Sequence, residues 1–407
     1  MARADARNRY TPRRPTIVWL GDSITEAGGD GPISGANSAN HNTNGFWPWA
    51  QAFMGWPLET LRNAGWFGQR TDEILARMQA GVYAYAPDWC HVLAGTNDIS
   101  QAVPLATIKT NLTAILDGLD ARGIRPIIGT IPPRGSYTGT QLADLLALNA
   151  WIRSRARARR GLVVVDYYSV LASPSGNGWA GSAEAGGLGL SGDGIHPGNA
   201  GAPRMGKELA RVLGPLVPSS PRLPASELDT GNLLLYSRFT AGTVASGTPP
   251  TGWNQGSVVN GPVTYSRAQR TDGGLPGSAL RIAVPAGGSL NLENANLRGS
   301  SWSIGETVVG SLDIAVSGRP AAPSLGTLGI NLQLVAIGAG VSRQCFPWAV
   351  SNDNQPNWDH KVTLRTPRFV IPAGTTALKL QLTISGEGTY DLDRAAILNL
   401  TRTPDYA

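Results

Sequence analysis

The stretch TIVWLGDSIT, Thr16 to Thr25, decides how the first half of this chain folds. Its first five residues make an apolar run of strand length, and Gly21, Asp22 and Ser23 follow at once. A Ser just past the C-terminal end of a parallel strand lies on the edge where α/β proteins build their sites. Ser is also a favoured helix N-cap, and on this block alone both readings stand.

Outward from this stretch, short apolar runs alternate with helical periods as far as about Val217. Leu58–Asn63, Trp89–Leu93, Ile124–Ile131 and Leu162–Val165 read as strands, and Thr71–Gln79, Leu105–Ala121, Gln141–Arg160 and Asn199–Leu213 as helices. Within Leu105–Ala121 the apolar residues Leu105, Ile108, Leu112, Ile115, Leu116 and Leu119 keep i, i+3, i+4 spacing. Such alternation predicts an α/β unit whose parallel sheet is covered on both faces. From about Gly231 the period changes to two: Leu312, Ile314 and Val316, then Ile330, Leu332 and Leu334, then Leu378, Leu380, Leu382 and Ile384 alternate with more polar residues. That pattern predicts an antiparallel β-sandwich or jelly roll with one wetter face. The expected organisation is a flexible basic N-terminus (1–15), an α/β unit (16–217), a Pro/Ser-rich linker (218–230) and a β-sandwich (231–407).

Composition sets further bounds. At 407 residues the chain has room for two or three domains of ~150 residues each. Hydrophobic residues make up 42% and charged residues 15%, and 51 Gly with 29 Pro make it rich in turns. No run approaches the ~18 apolar residues of a membrane span. Two cysteines, Cys90 and Cys345, exclude a disulfide scaffold and a Cys-based zinc site. Met1–Pro15 carries five Arg and no apolar core, so it is not a standard secretory signal; the expected location is the cytoplasm, or a phage virion or cell surface reached without one. Five more Arg between Arg153 and Arg160 fall in the last turns of a helix, where positive charge complements the helix dipole. Neither basic cluster carries a nucleic-acid-binding signature, so nucleic acid is not an expected partner.

Three more short blocks stand near strand ends. Asn63–Gln69 holds Gly65 and Gly68, either of which allows close approach of backbone and ligand or an ordinary tight turn. Gly95-Thr96-Asn97-Asp98 follows an apolar run, and Asn97 reads as a side-chain donor or as a turn Asn. Asp193-Gly194-Ile195-His196-Pro197 precedes the last helix. Of the four histidines, His91 sits in an apolar strand, His41 in a polar loop and His360 in the β half. His196 alone has a carboxylate three residues away in a loop. Gly187–Gly192 matches G-x-G-x-x-G but follows no strand and opens no helix, so it is not a dinucleotide fingerprint. There is no Walker motif, H-E-x-x-H or G-x-S-x-G elbow.

Together and in this order, the four blocks resemble those of the SGNH (GDSL) hydrolase superfamily over roughly Thr16–Leu213, with GDSIT in place of GDSL. The resemblance implies a flavodoxin-like three-layer fold. It implies that Ser23 is the nucleophile, His196 its base and Asp193 the third triad member. It assigns the oxyanion to the Ser23 N–H, the Gly68 N–H and the Asn97 side chain, leaving Gly65 as the structural turn, and it requires neither organic cofactor nor metal. A base must be neutral to accept the Ser23 proton, so activity is expected to rise with pH.

Substrate class is read from the loops. Gly28–Gly45 is long and polar and leads into Phe46, Trp47 and Trp49, and the Gly-rich Ala172–Gly192 contains Trp179. These aromatics are sugar-stacking platforms or anchors to the core. The β half resembles jelly-roll modules found beside carbohydrate-active enzymes, and Trp253, Trp302, Trp348 and Trp358 offer sugar-binding faces or core packing. The expected activity is therefore a serine esterase releasing O-acetyl or other small acyl groups from a carbohydrate, with polysaccharide binding through the β half. Two alternatives stand beside it. One is a lipid, aryl-ester or thioester hydrolase of the same superfamily; the other is an inactive carbohydrate-binding or phage tail-associated structural protein.

Overall fold

In the computed structural model, the described residues are 14–29, 38–40, 44–176, 178–181, 189–218, 229, 231–239, 244, 247–259, 261–269, 278–298, 302–318, 329–338, 342–348 and 360–403. Most of the expected linker, His41, Trp358, part of the G-x-G-x-x-G loop and the N-terminus before Arg14 lie outside them. The first half runs β1 (Thr16–Gly21), α1 (Ser23–Glu26), β2 (Ser38–Asn40), α2 (Phe46–Met54), β3 (Glu59–Gly65), α3 (Thr71–Ala76), α4 (Met78–Gly81), β4 (Trp89–Leu93), α5 (Thr96–Ser100), α6 (Leu105–Asp120), β5 (Arg125–Gly129), α7 (Gly139–Ala158), β6 (Val163–Val165), α8 (Tyr167–Leu171) and α9 (Gly201–Leu213).

Five of these strands form one parallel sheet in the order β3-β1-β4-β5-β6. Strand β1 is buried at every residue, as is β4. Successive strand side chains point to opposite faces, so both faces are covered. Helices α2, α8 and α9 pack as one group and α3, α6 and α7 as another. The expected three-layer α/β architecture is what the chain forms.

Register places the site. Gly21 of β1 lies level with Gly65 of β3 on one side and with Leu93 of β4 on the other. The three segments that leave these strands, carrying Ser23, Gly68 and Asn97, therefore start side by side. They start where the strand order reverses, the place at which open α/β sheets hold ligands.

The second half is β-rich: β7 (Asn254–Val259), β8 (Thr264–Gln269), β9 (Ser278–Val284), β10 (Ser289–Asn294), β11 (Thr307–Ser317), β12 (Gly329–Gly338), β13 (Ser342–Trp348), β14 (His360–Arg365), β15 (Phe369–Val370), β16 (Thr375–Ser385) and β17 (Gly388–Asn399). These make two sheets, ordered β2-β13-β12-β16-β10-β7 and β14-β11-β17-β9-β8, with β15 against β11. All pairings are antiparallel except β2 on β13. The alternation read in β16 holds: Leu378, Leu380, Leu382 and Ile384 are buried, and Lys379, Gln381 and Thr383 are half-exposed. In β11 it does not, because Ser311 and Asp313 are buried as well. Asp313 is satisfied there by Thr363 Oγ1 at 2.7 Å and by an ion pair with Arg394.

The two halves meet at a seam. Arg14 is tied down, donating to the carbonyls of Trp56 and Leu58 at 2.6 Å each. Ser38–Asn40 joins the edge of a β-rich sheet, parallel to β13. Helix α2 packs against β14, Glu59 pairs with Arg368 at 2.7 Å, and the Trp56 indole donates to the Thr363 carbonyl at 2.7 Å. Trp56 holds φ +64°, a left-handed backbone costly for a bulky residue. Burial of its ring and the bond to an edge strand offset that cost. Trp56→Phe keeps most of the ring but leaves Thr363 without its donor, which costs about 1–3 kcal/mol for a buried group. A fall in the melting temperature of the intact chain is expected; an unchanged melting curve would show that the bond holds nothing together.

Candidate active site

Local packing shapes the Ser23 block. Asp22 caps the short helix α1, its carboxylate accepting from Ile24 N–H at 3.0 Å. Gly21 cannot be larger, because a Cβ there would meet Thr25 Oγ1 at 2.2 Å and the Leu93 carbonyl at 2.5 Å. The cap is thus Asp22, and Ser23 keeps its hydroxyl for another partner.

That partner comes from 173 residues away. His196 Nε2 lies 2.8 Å from Ser23 Oγ, and His196 Nδ1 lies 2.7 Å from Asp193 Oδ2. The other Asp193 oxygen accepts the Ile195 and His196 backbone N–H groups at 2.8 Å each. Partial burial works against ionisation of Asp193, but the His196 side chain and these backbone donors outweigh it and hold the carboxyl below its usual range. An ionised carboxylate only accepts, so Nδ1 must carry the imidazole proton and Nε2 presents its lone pair to Ser23. The Asp193–His196 turn is fixed in place: Gly194 takes φ +74°, and its carbonyl accepts from Gly135 N–H at 2.8 Å and Trp179 Nε1 at 3.0 Å. Trp179 is accordingly an anchor for this loop and not a free face.

Gly68 and Asn97 stand on the two segments that start beside the Ser23 block. Gly68 sits at φ +74° in open space, so its backbone conformation, not crowding, calls for glycine. Gly65 is glycine for the other reason: a Cβ there would meet Glu26 N of α1 at 2.1 Å. Neither the Ser23 nor the Gly68 N–H donates to another residue among the described residues. Asn97 Nδ2 donates one of its two hydrogens to the Gln69 carbonyl at 3.0 Å, which fixes the amide and leaves the second available.

Several residues that the sequence reading passed over hold these pieces together. Asp98, fully buried, accepts from Thr71 N–H and Oγ1 and so ties the Asn97 block to the start of α3. Arg77 reaches back under the site, donating to the Gly21 carbonyl at 2.9 Å and to the Gln69 side chain. Neither had a sequence signal beyond its residue type. Phe46, Trp47 and Trp49, candidates for a sugar platform, are instead core residues of α2, each at most 1% exposed. Trp253 is likewise core, stacked on Phe239 with its indole donating to the Tyr236 carbonyl. His91 is buried against the Tyr167 hydroxyl at 2.9 Å, and burial lowers its pKa to about 3. It is a neutral core group, as its strand position suggested.

Residues 19–203 match the GDSL-like Lipase/Acylhydrolase family. The α/β unit is a GDSL-like lipase/acylhydrolase domain. No curated protein matches the chain. Solved structures resembling it include a G-D-S-L family protein from Desulfitobacterium hafniense (25% identity, TM-score 0.39, covering 49% of this chain and 99% of that one). Others are a GDSL-like lipase from Bacteroides thetaiotaomicron (18% identity, TM-score 0.39, 50% and 90%) and an acetylxylan esterase from Geobacillus stearothermophilus (17% identity, TM-score 0.38, 50% and 95%). The GDSL-like domain belongs to a family of acyl hydrolases, which makes ester hydrolysis its coarse activity.

Asp22 of the GDSL-like domain also has a measurable consequence. Burial raises its pKa to about 7, against the opposing pull of the Ile24 N–H and the His196 charge. Unfolded Asp titrates near ~3.9, so between about pH 4 and 7 the folded state keeps a proton that the unfolded state has lost. Its contribution therefore lowers stability as pH rises through that window. Asp22→Asn keeps an acceptor for Ile24 and removes the titration. Melting temperatures from pH 4 to 7 should show wild type losing stability relative to the variant; parallel curves would mean that Asp22 is ionised throughout.

Proposed function

We propose that this chain is a serine esterase that removes O-acetyl or other small acyl groups from a carbohydrate or polysaccharide. The observation that carries the reading is the continuous relay from Ser23 Oγ through His196 to Asp193, with open N–H donors beside it. Ser23 Oγ attacks the ester carbonyl while His196 Nε2 takes its proton, and the Asp193 carboxylate stabilises the imidazolium. The Ser23 and Gly68 N–H groups and the Asn97 amide receive the oxyanion. The tetrahedral intermediate collapses as His196 returns the proton to the leaving alcohol. Water, with His196 again as base, then releases the acid and restores Ser23.

The preference for a short acyl group follows from the rim. The His196 and Asp193 side chains are 31% and 54% exposed, and the loops that border them are polar and Gly-rich. On the Asp193–His196 side the rim therefore leaves an acyl group in water and offers a long chain little apolar contact. An intact relay also weighs against a purely structural role. For the β-rich unit we propose retention of polymer near the site, which raises the local concentration of ester; Trp253, being core, takes no part in it.

Ser23→Ala is expected to abolish hydrolysis of small acetate esters while the circular dichroism spectrum stays that of the wild type. A folded variant retaining more than a few per cent of kcat places the nucleophile elsewhere. Asn97→Ala is expected to lower kcat by ~10²–10³ with a smaller change in KM, because the oxyanion exists only in the transition state. A change confined to KM would put Asn97 in ground-state binding.

A further inference from the structure

The most exposed aromatic residues of the GDSL-like domain stand next to its oxyanion donor. Trp66 is 60% exposed and Phe67 71% exposed, directly before Gly68. Most large aromatics of the domain's core, Trp19, Phe46, Trp47, Trp49, Trp56 and Trp89 among them, are at most 6% exposed. Scattered exposed apolar residues need no explanation, but two consecutive rings beside a candidate site are not scattered.

The rings stand on a held backbone. Trp66 N–H donates to the Gly21 carbonyl at 3.1 Å, two residues before Ser23, and Gln69 N–H donates to the Trp66 carbonyl at 3.4 Å. Gly65, immediately upstream, lies against the backbone of α1. A platform on this segment is thus placed by the same contacts that place Gly68. Its border is polar and planar: Gln69 follows Gly68, and Arg70 is fixed by Asp72 at 3.0 Å and by the Gln101 amide at 2.9 Å.

We propose that Trp66 and Phe67 form the stacking platform for the sugar ring that carries the ester. This rests on the carbohydrate reading above and names where the sugar binds. Rings exposed to this degree on a loop surface offer flat faces, not an enclosed channel, so they suit a ligand with one apolar face and a hydroxylated edge. A pyranose ring has that form: its C–H face covers the aromatic rings, and its hydroxyl groups meet the amide and guanidinium groups along the border. An alkyl chain gains nothing from that border and needs enclosure on more than one side.

The test compares wild type, Trp66→Ala, Phe67→Ala, the double variant and Trp66→Tyr on three acetate esters: an acetylated xylo- or cello-oligosaccharide, phenyl acetate and ethyl acetate. Acetate release gives kcat/KM for each, with circular dichroism as the check on folding. In the double variant the ratio of kcat/KM for the sugar ester to that for ethyl acetate is expected to fall at least ~10-fold, mainly through KM, as for loss of an aromatic anchor; Trp66→Tyr keeps it within ~3-fold. A sugar-to-ethyl ratio that stays within ~2-fold of wild type in the double variant overturns the proposal. So does a fall in the phenyl acetate ratio alone, which makes an aryl ester the occupant. A wild-type enzyme that hydrolyses ethyl acetate but no acetylated saccharide overturns the carbohydrate reading itself, and this inference with it.

Discussion

One hydrogen bond, 2.8 Å between His196 Nε2 and Ser23 Oγ, is the contact on which the rest of the site depends. It joins residues 173 positions apart, so no local preference makes it. Two constraints do. The parallel register sets Gly21 level with Gly65 and Leu93, which brings the Ser23, Gly68 and Asn97 segments to one edge. The carbonyl of Gly194, held by Gly135 and Trp179, then presents the Asp193–His196 turn to that edge. The ionised Asp193 settles which imidazole nitrogen carries the proton, and the electrostatics thereby complete what the sheet geometry begins.

The two halves of the chain meet closely. Strand β2 follows α1 in sequence, yet it pairs with β13 of the β-rich sheet. Trp56 lies between α2 and β3 and Glu59 opens β3, and they bond to Thr363 and Arg368 respectively. The β-rich unit borders the α/β unit through both an added strand and a buried indole.

Much of this was legible in the sequence, for identifiable reasons. Strands β1 and β4 are buried on both faces, so they appear as unbroken apolar runs, and α6 has one apolar face, so its period shows. The blocks around Ser23, Gly68 and Asn97 were visible because each follows a strand of the sheet, and Asp193–His196 because a carboxylate stands three residues from a His in the loop before α9. Helix α2 was not: its aromatic residues are buried all round and Pro48 stands in its first turn, a place where Pro is tolerated but reads as a break. Strand β2 has three residues and no apolar alternation, and its pairing is set by distant packing. Aromatic residues in loops are ambiguous for a related reason. Trp47 and Trp66 each stand just after an Asn and a Gly, and only tertiary packing makes one core and the other surface.

In the proposed mechanism His196 and Asp193 make Ser23 nucleophilic. Covalent labelling with a fluorophosphonate, read by peptide mass spectrometry, tests this. A single adduct on the peptide containing Ser23 is expected, formed rapidly by the wild type and lost in a folded His196→Ala variant. An adduct on a different residue, or labelling of Ser23 at an undiminished rate without His196, would contradict it.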